Sequence, residues 1–193
     1  VTVAAPSSVV INGAQTESHS SMMNTKPEAG GALPRMSFPK LGGGTLSVGG
    51  ATERHRLLVV YRGKHCGRCK KYLATLERLK ADWEEAGFDL VVVSADPREK
   101  AKADVDEFDW SFDLGYDLSE AQMRALGVYI SDPLSPDETD RRFAEPAVFC
   151  VRPDGVIQVV CISNGPAARP DLSELLDGMK FNIAHNRPAR GTV

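Results

Sequence analysis

Leu57-Leu58-Val59-Val60-Tyr61-Arg62-Gly63-Lys64-His65-Cys66-Gly67-Arg68-Cys69-Lys70 is the stretch that decides the fold. Its first five residues are a continuous apolar run. Such a run, too short for a buried helix, reads as a strand covered on both faces. A helical pattern follows the two cysteines, from about Lys70 to Ala86. Leu73, Leu76, Leu79 and Trp83 fall near one face, with Lys and Glu between them. Gly87 is placed to close that helix. Cys66 and Cys69 therefore sit between a buried strand and the start of a helix.

Working outward, Asp89 to Ser94 reads as a second buried strand. Pro97 suits a helix start, and Ala101, Val105 and Phe108 form an apolar stripe after it. Ser111 to Leu114 reads as a short strand and Leu118 to Leu126 as a helix. Val128-Tyr129-Ile130 is short and apolar. Ser131 to Glu145, with Pro133 and Pro136, reads as a solvated loop. Ala147 to Val151 and Val156 to Ile162 are strands around Arg152-Pro153-Asp154-Gly155, a hairpin turn signal. A final helix is expected from Asp171 to Ile183. Strands alternating with helices imply a parallel core, and the hairpin adds an antiparallel pair. The expected class is α/β, a mixed central sheet with helices on both faces.

The N-terminal region differs. Residues 1–40 read as an extended or tag-like segment, and residues 41–193 as one domain. Val1 to Ile11 make a poor signal peptide, and Met22 or Met23 would serve as a native start. Leu41, Leu46 and Val48 suit a short edge strand. The chain has 193 residues, 23 basic and 26 acidic, for a net charge of −3. That balance argues against a protein whose main task is gripping nucleic-acid phosphates. No apolar stretch is long enough to cross a membrane.

Four cysteines are too few for a disulfide-built scaffold, so their placement matters more. A Cys-X-X-Cys at the mouth of a helix is a redox arrangement, because free N–H groups there favour thiolate over thiol. Arg68 lies between the two cysteines, and Lys64, His65, Lys70 and Lys71 flank them. All should lower the pKa of at least one thiol. A half zinc site and an inert core pair are the alternatives. No second ligand pair accompanies the first, so no metal and no cofactor is expected. Cys150 and Cys161 read as small buried hydrophobes. Arg124 reads as a surface residue, and Arg169 lies in a loop whose facing is open. Pro146, in Glu145-Pro146-Ala147, is either punctuation before a strand or a cis-proline beside the redox pair. The Cys pair favours cis.

The segment Tyr61 to Lys70 resembles the thioredoxin-fold motif. More specifically it resembles the peroxiredoxin-like branch of the alkyl hydroperoxide reductase/thiol-specific antioxidant family. Val92 to Pro97, Gly115 to Ser119, Leu126 to Ser131, Glu145 to Phe149, Ser163 to Pro166, Arg169 to Leu172 and Arg190 to Thr192 fit that branch in order. The resemblance implies a thioredoxin-like fold and thiol-dependent reduction of hydrogen peroxide or organic hydroperoxides. It places the peroxidatic thiol at Cys69 and the resolving thiol at Cys66. Arg62 or Arg68 would steady the thiolate and the departing oxygen, and His65, Glu145 and Pro146 would contact substrate. It also implies an external thioredoxin- or glutathione-type dithiol and a homodimer as one assembly. A redox pair without a signal fits the cytoplasm. The family pattern Pro-X-X-X-Thr/Ser-X-X-Cys is altered here. Arg62 holds the Pro position and Cys66 the Thr position, while Cys-Gly-Arg-Cys resembles the thioredoxin Cys-Gly-Pro-Cys. A thioredoxin-like oxidoreductase with Cys66 attacking therefore stands as an alternative, and a redox-sensing binding module as a third.

Overall fold

A computed structural model describes residues 26–193. The readings of Val1 to Ile11 and of Met22 and Met23 fall outside the described residues. The elements run β1 (Met36–Pro39), β2 (Thr45–Val48), β3 (His55–Val60), α1 (Gly67–Glu85), β4 (Phe88–Val93), α2 (Arg98–Phe108) and β5 (Asp113–Gly115). There follow α3 (Glu120–Ala125), β6 (Ile130–Ser131), β7 (Phe143–Ala144), β8 (Ala147–Val151), β9 (Ile157–Ile162) and α4 (Leu172–Ala184).

The central sheet has the order β5-β4-β3-β8-β9. β3, β4 and β5 are parallel, while β8 and β9 run antiparallel to their neighbours. The mixed sheet is thus the one expected. β3 lies at its centre, and Leu57, Leu58, Val59 and Val60 are all fully buried. Alternate residues feed two cores, because successive side chains in a strand point to opposite faces. Leu57 and Val59 pack with Leu73, Leu76 and Trp83 of α1, Ala101 of α2 and Leu176 and Met179 of α4. Leu58 and Val60 pack with Phe38, Val48, Met123 of α3 and Phe143. Helices therefore cover both faces. Burying each such side chain is worth about 1.5–3 kcal/mol, which is why the apolar runs set the architecture.

Four details depart from the sequence reading. α1 begins three residues early, because Cys66 caps it and Gly67 is already helical. α3 begins at Glu120 because Ser119 closes a capping box with Gln122, leaving Leu118 free to enter the core. Leu33 and Phe38, within the segment read as extended, are buried at 2% exposure, and β1 pairs with β2 there. Cys161 is only half-buried, since β9 is an edge strand, whereas Cys150 is fully buried.

Pro146 is trans, as is every peptide bond among the described residues, and the cis expectation is corrected. The physical reason lies in the backbone on either side. Glu145 N–H donates to Tyr129 O at 2.8 Å, and Pro146 O accepts from Ser163 N at 3.0 Å. A straight extended run therefore carries β7 into β8, and Pro146, lacking an N–H, stands where the ladder begins. The hairpin turn is as expected, with Gly155 N donating to Arg152 O at 2.9 Å. Gly155 has φ +84°, and a Cβ there would lie 2.9 Å from the Gly50 backbone.

Candidate active site

The chain leaves β3 at Val60 and must turn sharply to start α1 at Gly67. Gly63 makes that turn with φ +124°, and a Cβ there would stand 2.6 Å from Asp96 Oδ2. The space is taken because Asp96, just past β4, accepts the Lys64 N–H at 2.6 Å. Cys66 N–H then donates to Gly63 O at 3.0 Å. The result is a tight loop pinned to a buried carboxylate. Burial pushes the Asp96 carboxyl above its usual range, opposed by the Lys64 N–H bond.

The loop delivers Cys66 as the N-cap of α1, and its Sγ accepts the Cys69 N–H at 3.2 Å. One turn on, Cys69 brings its sulfur to disulfide distance, with Cα atoms 5.3 Å apart. This Cα separation is ordinary for a disulfide. Cys69 is fully buried and Cys66 is 4% exposed. Such a pair can cycle between dithiol and disulfide while the helix start favours the thiolate.

The cations counted in the sequence are not all available to that thiolate. Lys64 Nζ lies 3.5 Å from Asp104 and 3.2 Å from Glu107. Lys70 Nζ lies 3.6 and 3.8 Å from the same two carboxylates. Asp104 is buried on α2. Burial pushes its carboxyl up, while Lys70 and Lys64 pull it down. Arg62 is held by Glu138 at 3.1 Å and Glu145 at 3.6 Å, with its guanidinium over the Phe143 ring. Glu145 also accepts from Ser131 Oγ at 2.6 Å. His65 packs its ring on Phe143, 3.9 Å from Glu138. Burial, then Arg62, hold its pKa below the usual value, so it is neutral at pH 7.

Of the residues picked from the sequence, Arg62, His65 and Glu145 thus meet in one buried polar cluster beside the cysteine loop. Pro146 lies next to it, because β3 and β8 pair Val60 with Ala147. Arg68 stands apart, exposed on the first turn of α1. Arg124 sits on α3, ion-paired with Glu120, away from the pair. Sequence reasoning missed Glu138, which joins Arg62 to His65 from within a loop read as solvated. It also missed Asp104, whose burial on a charged helix has no local signal. Arg169, whose facing the sequence leaves open, reaches α1: its Nη2 donates to Arg68 O at 2.9 Å, and its guanidinium covers the Tyr72 ring at 4.2 Å.

The model of the AhpC/TSA family matches residues 29–160. The chain belongs to that family. Its members reduce peroxides through a thiol, and this chain is accordingly an oxidoreductase of the peroxiredoxin type. A peroxiredoxin-like protein from Aquifex aeolicus is similar in structure, with TM-score 0.69 and 19% identity over 81% of this chain and 88% of that one. AhpC from Mycobacterium bovis gives TM-score 0.67 and 15% identity, covering 88% and 99%. AhpC from Enterococcus faecalis gives 0.65 and 19%, covering 83% and 96%. A search of curated protein sequences returns no significant match. The structural likenesses bear on the thioredoxin-like fold, and the family match carries the chemistry.

Proposed function

We propose that this protein reduces hydrogen peroxide or organic hydroperoxides by cycling Cys66 and Cys69 between dithiol and disulfide. The carrying observation is the pair of sulfurs at disulfide distance across the first turn of α1. In this reading the Cys69 thiolate attacks the peroxide O–O bond. The bond breaks, the terminal OH passes to Cys69 as a sulfenic acid, and RO− leaves, taking a proton from water to become ROH. The Cys66 thiol condenses with it, releasing water and forming the disulfide. An external thioredoxin-type dithiol, or two glutathione-type thiols in turn, reduces that disulfide and is oxidised to a disulfide. Arg68, exposed beside the pair, is the candidate to steady the departing oxygen. Arg62, already balanced by two carboxylates, serves instead to hold the cluster that walls the site, with His65, Glu145 and Pro146. A dithiol that needs regular reduction fits the cytoplasm, and a homodimer is the assembly we expect.

A second reading is favoured by one observation. The Cys66 sulfur itself accepts the helix N–H, which suits it as the attacking thiolate of a disulfide oxidoreductase. Stopped-flow oxidation of the reduced protein separates the two. If Cys69 attacks, Cys66→Ser still consumes one peroxide and accumulates a dimedone-reactive sulfenic acid, while Cys69→Ser does not react. Reversal of that pattern moves the attack to Cys66. Peroxide loss no faster than for an ordinary thiol removes the peroxidase reading, and insulin reduction then tests the oxidoreductase.

A further inference from the structure

Arg169 is a cation beside the redox pair that no carboxylate neutralises among the described residues. It arrives from a segment 100 residues downstream of Cys69 by way of specific contacts. Tyr72 Oη donates to Pro170 O at 3.0 Å, which holds the segment on α1. The guanidinium then lies against the Tyr72 ring and the Arg68 carbonyl. Arg68, Cys69 and Tyr72 span about 6 Å of helix axis, so Arg169 is seated at the level of Cys69. Its Nε and Nη1 are buried without an acceptor among the described residues. The nearest acid in sequence, Asp171, is committed to capping α4, accepting Ser173 N at 2.9 Å and Glu174 N at 3.0 Å. Neither Arg169 nor Arg68 has a carboxylate within ion-pair distance among the described residues, whereas Lys64, Lys70 and Arg62 all do. Burial acts against the charge of Arg169, Tyr72 favours it, and the neighbouring Arg68 opposes it. A half-buried guanidinium with two idle nitrogens is costly until an anion meets it.

We propose that Arg169 and Arg68 form a carboxylate-recognition element at the Cys66–Cys69 disulfide, and that the thiol which reduces it is a small carboxylate-bearing one of the glutathione type. The proposal rests on the redox cycle above only in needing a reducible disulfide, and not on peroxide as the oxidant. The reductant's thiolate attacks one sulfur of the pair, the S–S bond breaks, and the other sulfur leaves as a thiolate. A second thiol resolves the mixed disulfide, so two thiols are oxidised to one small disulfide and the protein gains two electrons and two protons. The arginines would hold the reductant's carboxylate while its sulfur is in line.

The test uses the oxidised full chain and three probes: glutathione, its diethyl ester and cysteamine. Their second-order rates are each divided by the rate of the same thiol with hydroxyethyl disulfide, which removes intrinsic reactivity. The expected normalised rate for glutathione exceeds that for cysteamine about tenfold, with the ester between them. The preference should shrink at high salt, as a partly exposed charge effect does. Arg169→Gln and Arg68→Gln should each cut it about threefold, and Arg169→Lys should keep most of it. A wild-type preference within about twofold of unity overturns the proposal, as does one untouched by both Gln variants. Because Arg68 is exposed, its variant keeps the test decisive should Arg169→Gln fold poorly. Peroxide loss is measured separately, so failure there removes the peroxidase reading and leaves this result standing.

Discussion

Gly63→Ala is the single-atom change that most directly tests how the cysteine loop is built. The added Cβ would stand 2.6 Å from Asp96 Oδ2 and 2.8 Å from its Cγ, at a residue with φ +124°. Two penalties follow. An L-residue held in a region open mainly to glycine costs about 1–3 kcal/mol. Displacing Asp96 breaks its bond to the Lys64 N–H, and a hydrogen bond to a charged group is worth about 1.5–3 kcal/mol. Together they amount to about 2.5–6 kcal/mol. Urea unfolding reads it as a lowered midpoint at unchanged slope. Gly67→Ala is the internal control, four residues on at the start of α1. A Cβ there meets nothing within 4 Å, and Gly67 is already helical, so stability should rise by up to about 1 kcal/mol. A Gly63→Ala loss under about 1 kcal/mol, the size of an ordinary substitution, would refute the claim that Asp96 packs and pins this turn.

Other outcomes follow from the polar cluster. Arg62→Met leaves Glu145 buried with an uncompensated charge beside Glu138 and should cost about 3–5 kcal/mol in urea unfolding. Adding Glu145→Gln should recover at least about 1 kcal/mol of that, and strict additivity of the two changes would contradict the coupling. Burial, then Arg62, hold the His65 pKa below its ordinary 6.5. The unfolded chain thus binds the proton more readily, so the stability this histidine contributes is complete above pH 6.5 and is lost as pH falls through it. His65→Gln should therefore lose less stability than wild type between about pH 7 and pH 5, and parallel profiles would remove His65 as the cause.

The parts of the fold that were legible are those where local chemistry and tertiary environment agree. β3, β4, β8 and β9 announce themselves because central strands buried on both faces need unbroken apolar runs. β1 does not, since Ser37 and Pro39 flank Phe38 in a Gly- and Pro-rich context. Its burial against Leu58, Val60 and Met123 is a tertiary fact. The start of α1 lies three residues before its helical pattern begins, because Cys66 is not among the usual N-cap residues, yet its sulfur performs that task. The trans state of Pro146 depends on partners at Tyr129 and Ser163, which no reading of Glu145-Pro146-Ala147 alone supplies.

The candidate site divides along the same line. Cys66, Cys69 and the flanking cations are local and could be read directly, but which of those charges act on the sulfurs is decided elsewhere in the chain. α2 brings Asp104 and Glu107 to Lys64 and Lys70. The loop after β6 brings Glu138 and Glu145 to Arg62. The segment before α4 brings Arg169, which has no partner acid among the described residues, onto the helix turn that carries Cys69. A sequence count makes the neighbourhood of the pair broadly basic. Pairing takes Lys64, Lys70 and Arg62 out of that count and leaves Arg68, Lys71 and Arg169, at the first turns of α1, without an ion pair among the described residues. An anionic ligand therefore has one favourable side from which to approach the disulfide, and residue 169, remote in sequence, sets much of that preference.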